Sequence, residues 1–176
     1  MSFDAFCYFP KDKKTVMGET QDKKMKDNGA FEILSFEIGA ENNINIGSIT
    51  GGGGAGKATF KELNVTKKTD TCSCALFMKL CEGKHFDEMV IELRRSGAAD
   101  GVSGKTFLKW QFQLVMVQDI SWSGSDGDDI CEETVVFQYG AMKVEYWAQD
   151  AQGKMNQTPL KGEWSRVLNE ANFAVK

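Results

Sequence analysis

Gly51, Gly56 and Lys57 stand at the spacing Gly-x-x-x-x-Gly-Lys inside ITGGGGAGKAT, the first half of a loop that cradles nucleotide phosphates. That chemistry also needs a serine or threonine directly after the lysine, to hold magnesium, and a helix whose amino end faces the anion. Here Ala58 follows Lys57, Thr59 comes one residue late, and ATFKELNVTKK alternates like a strand. Those departures weigh against the nucleotide reading, and Gly51, Gly52, Gly53 and Gly54 are expected to form a freely moving segment that orders against a partner. Cys72, Cys74, Cys81 and His85 supply ligand types that zinc prefers, but their spacing matches no recognised finger. Cys74 and Cys81 lie two helical turns apart, a separation that suits a core face. His85 is the only histidine, with Asp87 close by, and no Gly-x-Ser-x-Gly elbow surrounds any serine. A helix-end role is the simpler reading of His85. Asp126, Asp128 and Asp129 match a calcium loop only weakly and read as solvated surface. No catalytic, cofactor or metal site is expected.

The composition sets the frame for these residues. A chain of 176 residues suits one compact core, so a single domain over residues 1–176 is expected. With 41% hydrophobic and 26% charged residues it falls in the globular range, and no apolar run is long enough for a membrane span. Net charge is -4, and the lysines at 11–14 and 23–26 are diluted by aspartate, so no field for nucleic-acid phosphates is built. The start, MSFDAFCYFPKDKK, has its lysines after the apolar residues, the reverse of a secretory signal, so folding in the cytoplasm is expected. Five cysteines, an odd number with Cys72 and Cys74 too close for a stapled framework, agree with reduced thiols.

Most of the positioning elements read as strands. Residues 2–9 place Phe3, Ala5, Cys7 and Phe9 on one face and Phe6 and Tyr8 on the other, which predicts burial on both sides. Residues 11–28 are polar and read as a connection; 31–38 resume the strand pattern; 42–56 read as a long loop or loosely paired hairpin. After a β-rich 57–67, residues 70–82 read as the one convincing helix, capped by Asp70, Thr71 or Ser73 and stopped by Gly83. In 105–117 the spacing puts Leu108, Trp110, Phe112, Leu114 and Met116 on one face of the firmest strand. In 133–149 the apolar set shifts from Val135, Phe137 and Tyr139 to Met142, Val144 and Tyr146, with Gly140 at the change, which predicts a bulge or bend. The predicted fold is all-β, a barrel or two-sheet sandwich with one short helix. That helix carries Cys74, Phe77, Met78 and Cys81 on one face and Leu76 and Leu80 at its side. An apolar stripe this wide asks for a second surface, expected from a neighbouring copy of the chain.

Read in order, Gly18-Glu19-Thr20-x-Asp22, Ile33-Leu34-Ser35-Phe36, the glycine run ending Gly-Lys, Lys67-x-x-Asp70, Leu80-Cys81-x-Gly83-Lys84-His85-Phe86, Ser121-x-Ser123-Gly124 and Gly162-x-Trp164 resemble the haemolysin-coregulated protein family. This is the tube protein of bacterial type VI secretion, and the similarity covers nearly the whole chain. The resemblance implies a two-sheet β-barrel with one flanking helix, assembled as a hexameric ring. Rings would stack into a hollow tube, driven outward by a contractile sheath beneath a spike, so the protein would be secreted without a cleavable signal, with small effector proteins in the lumen. It places Asn45, Ile46, Gly51 to Gly54, Gly56 and Lys57 in a loop that reaches the next subunit or ring. The helix residues Leu76, Phe77, Leu80 and Cys81, with His85 beyond, become the subunit interface. The chain departs from the family in the longer 11–14 segment and in Cys72-x-Cys74, where a Ser-Pro helix start is common. Two alternatives stand beside this reading: a monomeric barrel that binds a small apolar ligand, and an enzyme using Lys57 or His85.

Overall fold

In chain order the elements are β1 (Phe3–Tyr8), α1 (Lys23–Lys26), β2 (Phe31–Glu32), β3 (Ser35–Glu37), β4 (Ala40–Ile44), β5 (Ala55–Phe60) and β6 (Leu63–Lys68). They continue with α2 (Ser73–Glu82), β7 (His85–Arg95), β8 (Lys105–Ser123), β9 (Glu132–Tyr146) and β10 (Leu160–Ser165). This computed structural model describes residues 3–44, 55–95, 104–151 and 154–176. One antiparallel sheet runs β2-β1-β7-β8-β9-β6-β3, with β10 also on β9. Strand β8 follows one edge of β9 along its whole length. The other edge is shared, by β6 from Glu132 to Phe137 and by β10 from Ala141 to Tyr146.

The two ends of this sheet are consecutive in the chain. The Ile33 amide donates to the Ala5 carbonyl at 2.9 Å, and the next amide, Leu34, donates to the Thr66 carbonyl at 2.8 Å. Residues 31–37 therefore span from β1 to β6 and hold the sheet in a curl. The product is a mostly-β half-barrel flanked by α2. The expected pair of sheets is corrected to one continuous curled sheet, because a single chain segment serves both of its ends; β4 and β5 form a separate hairpin. The interior is packed rather than hollow: Phe9, Phe86, Phe112 and Phe137 are fully buried, and the Phe9 and Phe86 rings approach to 4.2 Å. Among the described residues that filling argues against a ligand held inside the barrel.

Both faces of β1 are buried from Ala5 onward, while Phe3 stays 51% exposed, and the cover on the outer face comes from within the chain. Phe6, Tyr8 and Val90 pack against Met25 of the segment that reads as a polar connection and against Ala30 just beyond it. Its single helical turn, α1, is capped by Asp22, whose Oδ1 accepts from the Lys24 and Met25 amides. The firmest predicted strand also needs correction. Phe112, Val115 and Val117 are the buried residues of β8, while Met116 is 40% exposed, because Leu114 adopts a φ of 53° and breaks the alternation. A second irregularity lies between Val117 and Asp119, so β8 changes sides twice. Gly140 stands opposite the first break, where the sequence places a bend. A Cβ there would meet Leu114 and Val167 side-chain atoms at 3.1 Å.

Candidate functional site

Helix α2 is fixed to the sheet by a buried polar network at its amino end. Lys67, with none of its surface exposed, donates from Nζ to Asp70 Oδ1 at 2.8 Å and to Glu133 Oε1 at 2.9 Å. Glu133 also accepts from Ser73 Oγ, Thr69 Oγ1 and Trp122 Nε1, the last at 2.8 Å. Burial opposes the Lys67 ammonium, but the hydrogen-bonded Glu133 and Asp70 outweigh it and its pKa is raised. Asp70 also accepts from the Cys72 amide, while Cys72, the residue at the helix start, does not cap the helix with its own side chain. This gives Lys67-x-x-Asp70 a structural meaning. The helix ends on Gly83, at φ 62°, with its amide and that of Lys84 closing the last turn onto Leu80 and Lys79.

The other ordered motif performs a similar task. Gly18 sits against Ala30 and Phe31 so closely that a Cβ would come within 2.5 Å of the Ala30 carbonyl oxygen. Glu19 accepts from the Thr71 amide, Thr20 donates to Glu32, and Asp22 pairs with the buried Arg94 at 3.0 Å. Burial works against the Asp22 charge, but the Met25 amide, Arg94 and the Lys24 amide hold its pKa below the usual carboxylate value. Both motifs build the scaffold and leave no reactive group. Burial pushes the Cys7 and Cys72 thiols far above their ordinary range, which makes them inert.

What the network positions is an uncovered apolar stripe. Phe77 and Met78 stand 43% and 51% exposed on α2, and Cys74 and Cys81 share their side of the helix, also exposed. The expectation that these cysteines belong to the core is corrected: Leu76, fully buried, and Leu80, partly buried, form the inward face. Trp122 extends the stripe onto β8, its ring meeting Phe77 edge-on at 5.9 Å. Trp122 stands two residues past Ile120 near the end of β8, just before the acidic surface stretch of Asp126, Asp128 and Asp129. Of the expected interface residues, Leu76 is therefore unavailable to a partner, and His85 is exposed at the start of β7, with Asp87 at 3.5 Å. Asn45, Ile46 and Gly51 to Gly54 lie outside the described residues. Gly56 and Lys57 lie in β5, Lys57 is exposed, and a strand stands where a nucleotide site needs a helix. Among the described residues no three His, Cys, Asp or Glu side chains group as metal ligands, and no helix is long and apolar enough to cross a membrane.

A second apolar surface escaped the sequence reading altogether. A groove of about 560 Å³ opens beneath β5, lined by Phe60, Leu114, Met116, Trp164 and Val167, with Lys57 and Arg166 as its charged residues. It exists because β8 turns Met116 outward and because β6 and β10 leave a gap along β9, where Arg166 donates to the Tyr139 carbonyl.

Residues 8–146 match the family model described as "Type VI secretion system effector, Hcp". The chain belongs to the Hcp family. Among curated proteins, Protein hcp1 of Pseudomonas aeruginosa is 29% identical over 109 residues, covering 62% of this chain and 65% of that protein's length. A solved structure titled as a type six secretion system protein superposes with a TM-score of 0.82 at 32% identity, covering 96% of this chain and 99% of the other. Hcp1 from Salmonella typhimurium gives a TM-score of 0.69 at 24% identity over 97% and 99%, a likeness of fold. Membership in this family ties the protein to the type VI secretion system.

Proposed function

We propose that this chain is the tube subunit of a type VI secretion apparatus. Six copies close a ring, rings stack into a hollow tube, and a contractile sheath drives that tube outward beneath a spike, with small effector proteins in the lumen. Within this reading the loop between β4 and β5, including Asn45, Ile46 and Gly51 to Gly54, docks on the next subunit or ring. Family membership supports the proposal, and the observation that carries it is the uncovered stripe of Phe77, Met78 and Trp122. The rest of the helix is seated in a core that one copy closes by itself, so the stripe is surplus to folding and suited to association. Light scattering of the purified protein should give a mass of about six chains, closed by a repeated contact. A strict monomer at micromolar concentration overturns the reading. Deleting Gly51 to Gly54 should spare the ring and impair stacking; unfolding on deletion would contradict the assigned role of the loop.

A further inference from the structure

The two apolar surfaces described above have opposite charge at their margins, and they face opposite sides of β8. Val115 and Val117 are buried, so Met116 between them points outward into the groove. Ile120 packs against the core and Trp122 bonds to the buried Glu133, so Trp122 lies on the inner side, against α2. At ~3.3 Å per residue the two points on the strand are about 20 Å apart. Beside the stripe, Glu82 follows Met78 by four residues on the same helical side, but Lys84 at 2.9 Å offsets its charge, so the acidic excess comes from the loop beyond Trp122. That loop carries exposed Asp126, Asp128 and Asp129, with Glu132 beside them and Lys68 as the one base lining the same hollow, a net acidic margin, while Lys79 turns away to the His85 carbonyl. The charged residues lining the groove, Lys57 and Arg166, are both basic.

Stripe against stripe would set acid on acid, and groove against groove base on base. Stripe against groove sets unlike charges together and apolar residues on apolar residues. Such a contact between two different patches repeats from copy to copy and closes a ring when its rotation allows. We propose that the groove beneath β5 receives Phe77, Met78 and Trp122 from a second copy of this chain. This inference rests on the ring reading and names the contact that builds it.

The test pairs two surface substitutions, Met78→Asp on the stripe and Val167→Arg in the groove. Each alone should abolish the six-chain species in sedimentation velocity while leaving the near-ultraviolet circular dichroism unchanged. Mixed in equal amounts, the two variants retain one intact stripe and one intact groove, and they should form a one-to-one dimer and nothing larger. Rings that persist in both variants, or variants that are monomeric and fail to dimerise when mixed, overturn the assignment. A readout in the unaltered protein backs this up if a variant misfolds. Alkylation of Cys74 and Cys81 in the assembled wild type should be slow and should become fast on dilution to monomers; equal rates in both states refute the contact. A wild type that is monomeric throughout takes down the ring reading itself, a result distinct from a ring that survives both substitutions.

Discussion

Gly18 and Gly140 are both close-packed, but against different kinds of neighbour, and their substitution should cost accordingly. A methyl at Gly140 presses on the side chains of Leu114 and Val167, which can shift, whereas one at Gly18 runs into the Ala30 carbonyl and the Phe31 Cβ. Gly140→Ala should lose about 1–3 kcal/mol in denaturant unfolding, and Gly18→Ala more. Asp22 offers a pH test with a definite sign. Its folded pKa is lowered, so its contribution is present above the ordinary carboxylate value of about 3.9 and is lost as pH falls through the lower folded value. Wild type should be more stable than Asp22→Asn at neutral pH, and the gap in urea midpoint should close below about pH 4. A gap that is constant down to pH 2 would show that the charge on Asp22 contributes nothing, through either the amides or Arg94. The sequence displayed Asp22 as part of a motif, but its partner Arg94, far along the chain, could not be read from spacing.

At the scale of elements, α2 was legible because its stop signal is local. Gly83 takes a left-handed φ of 62° with open space around it, so the cost of Gly83→Ala is conformational alone, about 1–2 kcal/mol. Thermal unfolding should record it, with α2 retained in the native state. The strand pair β8 and β9 was legible only in part. Gly140 announced a change of side on β9, whereas Leu114, an ordinary strand residue by type, gave no sign of its positive φ. The alternation through Leu114 and Met116 therefore pointed to the wrong face, and the groove that depends on it stayed hidden. The segment over 11–28 was missed for the opposite reason. A single turn anchored by Met25 is too short to show a helical period, and its polar residues face water while Met25 and the following Ala30 cover Phe6 and Tyr8.

The whole molecule combines a core that one chain closes with surfaces that it does not. That division explains why the fold class was readable from patterning while the contact surfaces were not: alternation reports burial inside a chain and is silent about which exposed residues converge. The same division bears on assembly kinetics. If unlike charges guide the stripe to the groove, the association rate of subunits should fall as salt is raised, and Lys57→Glu should slow association at low ionic strength. Stopped-flow light scattering after a concentration jump would measure both; a salt-independent rate would leave apolar contact as the whole driving force. The hand-over at Ile33 and Leu34 bears on durability in any compartment the protein enters. With one stretch of backbone clasping both margins of the curled sheet, a protease that severed it would release the two margins together. The subunit's resistance to digestion is then governed by a single latch.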